Sequence, residues 1–152
     1  MILYINTIKK DSTEIEVGLM DVKGNWLVKK KVKAQYRQAE KLLPLVEKMF
    51  DDKKLAGKMR KGKKLRLKDV KEVNVVNRGG SFTSLRIGVV TANALGYALG
   101  IPVKGLSSMD EMRDKMKPGK IMDGKGQTNA KKKKIHIVPA LYDREPNITL
   151  KK

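Results

Sequence analysis

Few residues in this sequence have the types and spacing that chemistry demands. Gly79-Gly80-Ser81 precedes a long apolar run. Glycines ahead of a helix can aim backbone N–H groups at an anion. The stretch is not G-x-x-x-x-G-K-S/T, however, and no set of Mg²⁺-binding carboxylates accompanies it. It reads as a tight strand-to-helix turn in which Ser81 or Thr83 caps the first free N–H groups. A two-metal nuclease needs several carboxylates around its ions. Asp21 and Asp69 have no supporting context for such a site. His136 is the sole histidine, on a strand-like run beside four lysines, and suits a surface or packing role better than a general base. With no cysteine there is neither a disulfide nor a thiolate metal site. No catalytic, metal or cofactor-binding residue is assigned, and no cofactor is expected.

The charge points elsewhere. A formal charge of +19 on 152 residues attracts polyanions such as RNA, DNA or acidic membrane. Plain solubility is the other reading, but the lysines are clustered. One group is Lys53, Lys54, Lys58, Arg60, Lys61, Lys63 and Lys64; another is Lys131, Lys132, Lys133 and Lys134. Contacts from such groups to RNA phosphates would weaken steeply with salt and carry no base sequence. Solvated loops without a ligand are the alternative. Tyr36, Tyr97 and Tyr142 fall in or near elements expected to be packed, and Trp26 in the core, so little remains for base stacking.

The elements that would position these residues follow from periodicity. Ile2 to Ile5 reads as a buried strand and Asn6 to Ser12 as a turn. Ile15, Val17 and Leu19 alternate with polar residues, the mark of a half-buried strand. Asp21 to Asn25 is a hairpin turn, and Trp26, Val28 and Val32 give a third strand. Ala34 to Phe50 has helical spacing despite Pro44. Val73 to Val76 is a strand, and a helix runs on to Leu99. Gly100 and Pro102 stop that helix before a strand from Val103. Ser108 with Glu111 is a capping-box pattern for a short helix to Met116. Residues 117–134 read as a flexible basic loop and Ile135 to Val138 as a last strand. Residues 1–116 therefore form one α/β lobe with a mixed sheet, residues 117–134 a loop, and residues 135–152 the last strand and tail. The N-terminus lacks the basic start of a signal peptide, and no apolar run is long enough for a membrane span. A cytoplasmic protein is expected.

Leu85 to Leu99 is apolar or small on nearly every side. Leu85, Val89, Ala92, Leu95 and Leu99 mark one face; Ile87, Val90, Ala94, Tyr97 and Ala98 mark another. A helix without a polar face must be covered twice. The sheet can cover one side, and a partner the other.

The stretch Val75-Val76-Asn77-Arg78-Gly79-Gly80-Ser81-Phe82-Thr83-Ser84-Leu85-Arg86-Ile87-Gly88 is similar to the G-P-G-S-F-T-G-L-R-I-G signature of the TsaB (YeaZ) family. The similarity continues through Gly100-Ile101-Pro102-Val103 and Gly105-Leu106-Ser107-Ser108. Met1-Ile2-Leu3-Tyr4-Ile5-Asn6-Thr7 resembles the family's I-L-A-I-D-T start, and Glu40 to Val46 its S-E-x-L-L-P-x-I helix. Val138-Pro139-Ala140-Leu141-Tyr142-Asp143-Arg144 resembles its last segment, P-x-Y-L-R. Asn6 stands for the family's aspartate, Gly80 for its proline and Ser84 for a glycine.

The resemblance implies a single ribonuclease H-like lobe of the actin/Hsp70-type ATPase (ASKHA) fold, with a mixed five-stranded sheet, in a shortened form lacking most of the second lobe. It implies a non-catalytic scaffold subunit that pairs with TsaD through two helices of this lobe. That pair threonylcarbamoylates adenosine 37 in tRNAs reading ANN codons. TsaE and tRNA are further implied partners, and the apolar helix face could also form a homodimer. An independent basic RNA-binding module of the same fold is the alternative. The expected partner interface is Leu42, Leu43, Val46, Met49, Leu85, Val89, Ala92 and Gly96. Gly88, Ala92 and Gly96 would form a small-residue ridge admitting the partner's helix. A charge at Ala92 would then abolish pairing and spare the fold.

Overall fold

A computed structural model describes residues 1–53, 55, 65–107 and 137–142. The expected helix at Ser108, the basic loop 117–134, His136 and the tail beyond Tyr142 lie outside the described residues.

Five strands form one mixed sheet in the order β3-β2-β1-β4-β5. They are β1 (Ile2–Ile8), β2 (Glu14–Met20), β3 (Trp26–Lys33), β4 (Glu72–Val76) and β5 (Val103–Leu106). β1 pairs antiparallel with β2, and β2 with β3, while β1–β4 and β4–β5 are parallel. A short helix α1 (Lys9–Ser12) joins β1 to β2. Helices α2 (Gln38–Phe50) and α3 (Phe82–Leu99) provide the connections to β4 and β5. This is the expected antiparallel half joined to a parallel half.

One face of the sheet carries the main core. Leu3, Ile5, Val17, Leu19, Val73, Val75 and Val103 meet Leu42, Val46, Met49, Leu85, Val89 and Ala92 there. Tyr4, Met20, Val76 and Leu106 form a second cluster with Trp26, whose ring stands edge-on to Tyr4 at 5.5 Å.

Two readings of the strands need correction. β1 does not end at Ile5: Asn6 and Thr7 continue it, because their polar atoms find partners inside the fold. The Thr7 hydroxyl donates to the Ser84 carbonyl at 2.6 Å, and Asn6 Oδ1 accepts the Ile8 N–H at 3.0 Å. Nor is β2 half-buried. Glu16 is fully enclosed yet lies 3.3 Å from Lys31 Nζ and 3.6 Å from Lys29 Nζ. Gly18 is roofed by the Trp26 ring. α2 starts at Gln38 rather than Ala34, since Gln35 and Tyr36 form a turn and Tyr36 takes a positive φ of 58°.

Candidate functional site

The glycine loop is a structural turn. Gly79 and Gly80 have φ of 85° and 69°, a region open to glycine at little cost. The Ser81 side chain accepts the Ser84 N–H at 3.2 Å and so caps α3, while the Ser81 N–H is taken by Ser12 Oγ at 3.0 Å. Two of the N–H groups at this helix start are thus bonded within the fold. Ser81, and not Thr83, is the cap.

The solitary carboxylates are structural as well. Asp21 accepts the N–H groups of Lys23 and Asn25, both at 2.8 Å, and the Asn25 amide at 2.9 Å. These bonds, the Asn25 side chain first, hold its carboxyl below the usual range. Asp69 accepts the Arg66 N–H at 2.9 Å in a 3₁₀ turn. Asn6, where the resemblance expects an aspartate, donates from Nδ2 to the Tyr4 hydroxyl at 3.2 Å. Burial pushes that phenol's pKa up, with the Glu16 charge adding to the rise and the Asn6 bond opposing it. Among the described residues no three metal-ligating side chains gather.

The interface expected from the sequence is in large part the core. Leu42, Val46, Met49, Leu85, Val89, Ala92 and Gly96 are all buried within this chain. Leu43 alone, 53% exposed, faces out. The small-residue ridge serves the sheet: a β-carbon at Gly88 would run into Thr7, and one at Gly96 into Val103. The glycines let α3 lie close on β1 and β5, where a bulkier residue would hold it off. The ridge therefore meets the sheet and not a partner's helix.

The other face of α3 is uncovered by the described residues. Val90 is 64% and Tyr97 69% exposed, with Ala94 and Ala98 exposed and Ile87 partly so. These positions repeat every three or four residues and make one stripe. Arg86 is the only charged residue of the helix. On one flank of the stripe Leu95 joins Leu43, Val46, Phe50, Leu65 and Leu67 around a groove of about 560 Å³ against α2.

On the opposite flank runs the segment 137–142. Asn93 bonds both backbone groups of Val138, at 2.9 Å each, and Asn77 Nδ2 donates to the Pro139 carbonyl at 2.8 Å. Arg78 and Leu141 form a parallel bridge. Tyr142 stacks on Phe82 with ring centres 4.4 Å apart, and Arg86 Nε donates to its hydroxyl at 3.0 Å. Arg86 also lies 4.2 Å over the Phe82 ring. In the sequence only the tail resemblance points to this Phe82–Arg86–Tyr142 cluster.

Of the residues expected to touch RNA, Lys53 is exposed. Lys54, Lys58, Arg60, Lys61, Lys63, Lys64 and Lys131, Lys132, Lys133 and Lys134 lie outside the described residues. β3 adds a basic row that the sequence reading passed over: Lys29, Lys31 and Lys33 share one side of the strand and are exposed. The aromatic expectation also fails in part. Tyr36 is 90% exposed and Tyr97 faces out, so neither is packed. No helix among the described residues is long and apolar enough to cross a membrane.

Comparison with known proteins places the chain. Residues 32–120 match the family model described as TsaD: tRNA N6-adenosine threonylcarbamoyltransferase. The fold is similar to YeaZ from Pseudomonas aeruginosa, with a TM-score of 0.55 and 24% identity over 69% of this chain. A second structure from that organism, an uncharacterised protein with similarity to peptidase YeaZ, agrees with the same values. The chain spans 42% of the length of each. A 31-residue stretch, 20% of this chain and 9% of the other, is 61% identical to an uncharacterised protein of Mycobacterium leprae (strain TN). The family match takes in more than half of the chain, and the protein, YeaZ-like in fold, therefore belongs to the TsaD family of tRNA threonylcarbamoylation proteins.

Proposed function

We propose that this chain is a non-catalytic subunit of tRNA threonylcarbamoylation, docking on a TsaD-type catalytic partner through the outer face of α3. The carrying observation is the uncharged stripe of Ile87, Val90, Ala94, Tyr97 and Ala98, set on a helix whose other side is already packed on the sheet. Leu43 on α2 extends the patch across the intervening groove. A contiguous apolar patch of this kind on a small chain marks an interaction surface. Tyr97 is the natural anchor, an aromatic body with a polar tip.

Catalysis is assigned to the partner because the end of β1 holds Asn6, whose amide is bonded within the fold, and the N–H groups of Ser81 and Ser84 at the start of α3 are already bonded to Ser12 and Ser81. The adenosine at position 37 of tRNAs reading ANN codons is the proposed substrate of the assembly, with TsaE as a further member. The basic groups around Lys53 and Lys131 would support tRNA binding electrostatically.

The test is co-purification with TsaD. Ala94→Glu and Val90→Glu place a charge in the stripe and should abolish pairing while the variants melt like the parent chain. Pairing that survives both changes would remove the docking face. Reconstituted tRNA modification with and without this chain then reports whether the subunit is required.

A further inference from the structure

β3 is an edge strand, and half of its eight residues are lysine. The two sides of the strand use them differently. Lys30 turns toward α2, where it pairs with Asp52 at 2.9 Å and donates to the Lys48 carbonyl at 3.2 Å. Lys29, Lys31 and Lys33 lie on the opposite side and are exposed. Glu16, wholly buried, draws the first two together from below. Glu14 stands opposite Lys33 in the strand register, and three lysines over two carboxylates still leave that row net positive. Alternate strand residues recur every ~7 Å, so the row runs ~13 Å from Lys29 to Lys33. That period is close to the spacing of successive phosphates along a nucleic-acid strand.

The row ends at an unusual tyrosine. Three residues beyond Lys33, Tyr36 holds a φ of 58° and is 90% exposed. A bulky residue in the left-handed region is strained. A ring this far out recovers nothing from packing, and glycine would fill the turn with less strain. Tyrosine here is unfavourable for the fold and presents an open aromatic surface three residues beyond the last lysine of the row. Electrostatic track plus exposed aromatic platform is how proteins hold single-stranded nucleic acid.

We infer that the β3 edge and Tyr36 form a binding track for single-stranded RNA, with Lys29, Lys31 and Lys33 on successive phosphates and Tyr36 stacking on a base. The choice of RNA rests on the tRNA-modification reading; the track itself rests on the lysines and the tyrosine. Blocking of edge-to-edge aggregation is the competing role for edge lysines, but it gives Tyr36 nothing to do.

The experiment is fluorescence anisotropy of the full chain with a labelled single-stranded oligouridine, a duplex RNA of equal length, and vesicles containing phosphatidylserine. Single strands should bind best, and Lys33→Gln should reduce the slope of log affinity against log salt by ~0.7. Tyr36→Gly should weaken single-strand binding about tenfold while raising the melting temperature. Tyr36→Trp should restore binding. Lys31→Arg keeps both the charge and the Glu16 pair and should bind like the parent. TsaD co-purification should be unchanged in all four variants, which separates this track from the docking face. The inference is overturned if Tyr36→Gly binds as tightly as the parent, if Lys33→Gln changes only aggregation, or if vesicles bind in preference to single-stranded RNA.

Discussion

Ala92 and Ala94 stand two residues apart on α3 and on nearly opposite sides of it, since a helix turns about 100° per residue. Ala92 is fully buried between helix and sheet; Ala94 is exposed. Around Ala92 lie Leu85, Gly88, Val89 and Gly96, and around Ala94 lie Ile87, Val90, Tyr97 and Ala98. The two sides have almost the same composition. What separates them is the shape of the neighbour. The inner side owns both glycines, because Thr7 and Val103 press against it. Of the two sides only the outer one carries a large aromatic, Tyr97, because nothing within the described chain limits its size. Small residues thus mark the contact made at folding, and the large exposed ring marks the side proposed for a partner.

Placing the same charge on each side tests this most sharply. Ala92→Glu should destabilise the chain by several kcal/mol, since an unpaired buried carboxylate costs a large share of the stability of a small domain. Urea unfolding would show it, and a chain of normal stability that merely fails to pair would invert the two faces. Ala94→Glu should change stability by no more than about 0.5 kcal/mol, as exposed substitutions do. Its effect should fall on pairing instead, by a factor of about 100 if the stripe is the centre of the interface.

The border between the sides comes next. Asn93 lies at the edge of the outer stripe and holds Val138 by two hydrogen bonds. Asn93→Ala should cost about 1–3 kcal/mol, because the Val138 backbone is left unpaired where it is partly buried. Pairing should weaken far less than in Ala94→Glu. A larger effect on pairing than on stability would extend the interface onto the segment 137–142.

Much of the fold was legible because its signals are local. The apolar runs of β1, β4 and β5, the turn at Gly24, the glycine at 100 and the serine ahead of α3 each act within a few residues. The misreadings came where polar or small residues are satisfied from far along the chain. Thr7 reaches Ser84, 77 residues away, so a run that looked like a turn continues a strand. Glu16 survives burial because Lys29 and Lys31 arrive from the next strand. Both sides of α3 were visible as apolar faces, but periodicity carries no information about which one meets the sheet. Tyr36 keeps helical spacing with Ala39 and Leu42, which predicts a packed ring, and its positive φ leaves no trace in composition.

Acidity gives the smallest effect, and its sign differs between the variants. Asp21 accepts three hydrogen bonds as a carboxylate, so its folded pKa lies below the ordinary value of ~3.9. Its contribution is present above that value and is lost as the pH falls through the lower folded pKa. The side chain is exposed, so the parent chain should lose only a little stability on this limb, and Asp21→Asn should flatten it. A buried glutamate at position 92 behaves in the opposite way: burial raises its pKa, so the folded state binds the proton more readily than the unfolded one. The stability gap between Ala92→Glu and the parent should therefore narrow as the pH drops from 7 toward ~4. With Ala94→Glu there is no such gap to narrow, because a carboxylate in water titrates alike in both states. Unfolding curves for all three chains across this range would show parallel limbs for the outer variant and converging limbs for the inner one. Convergence for Ala94→Glu would mean that the outer side is already covered within a single copy, and that the stripe is not available for a partner.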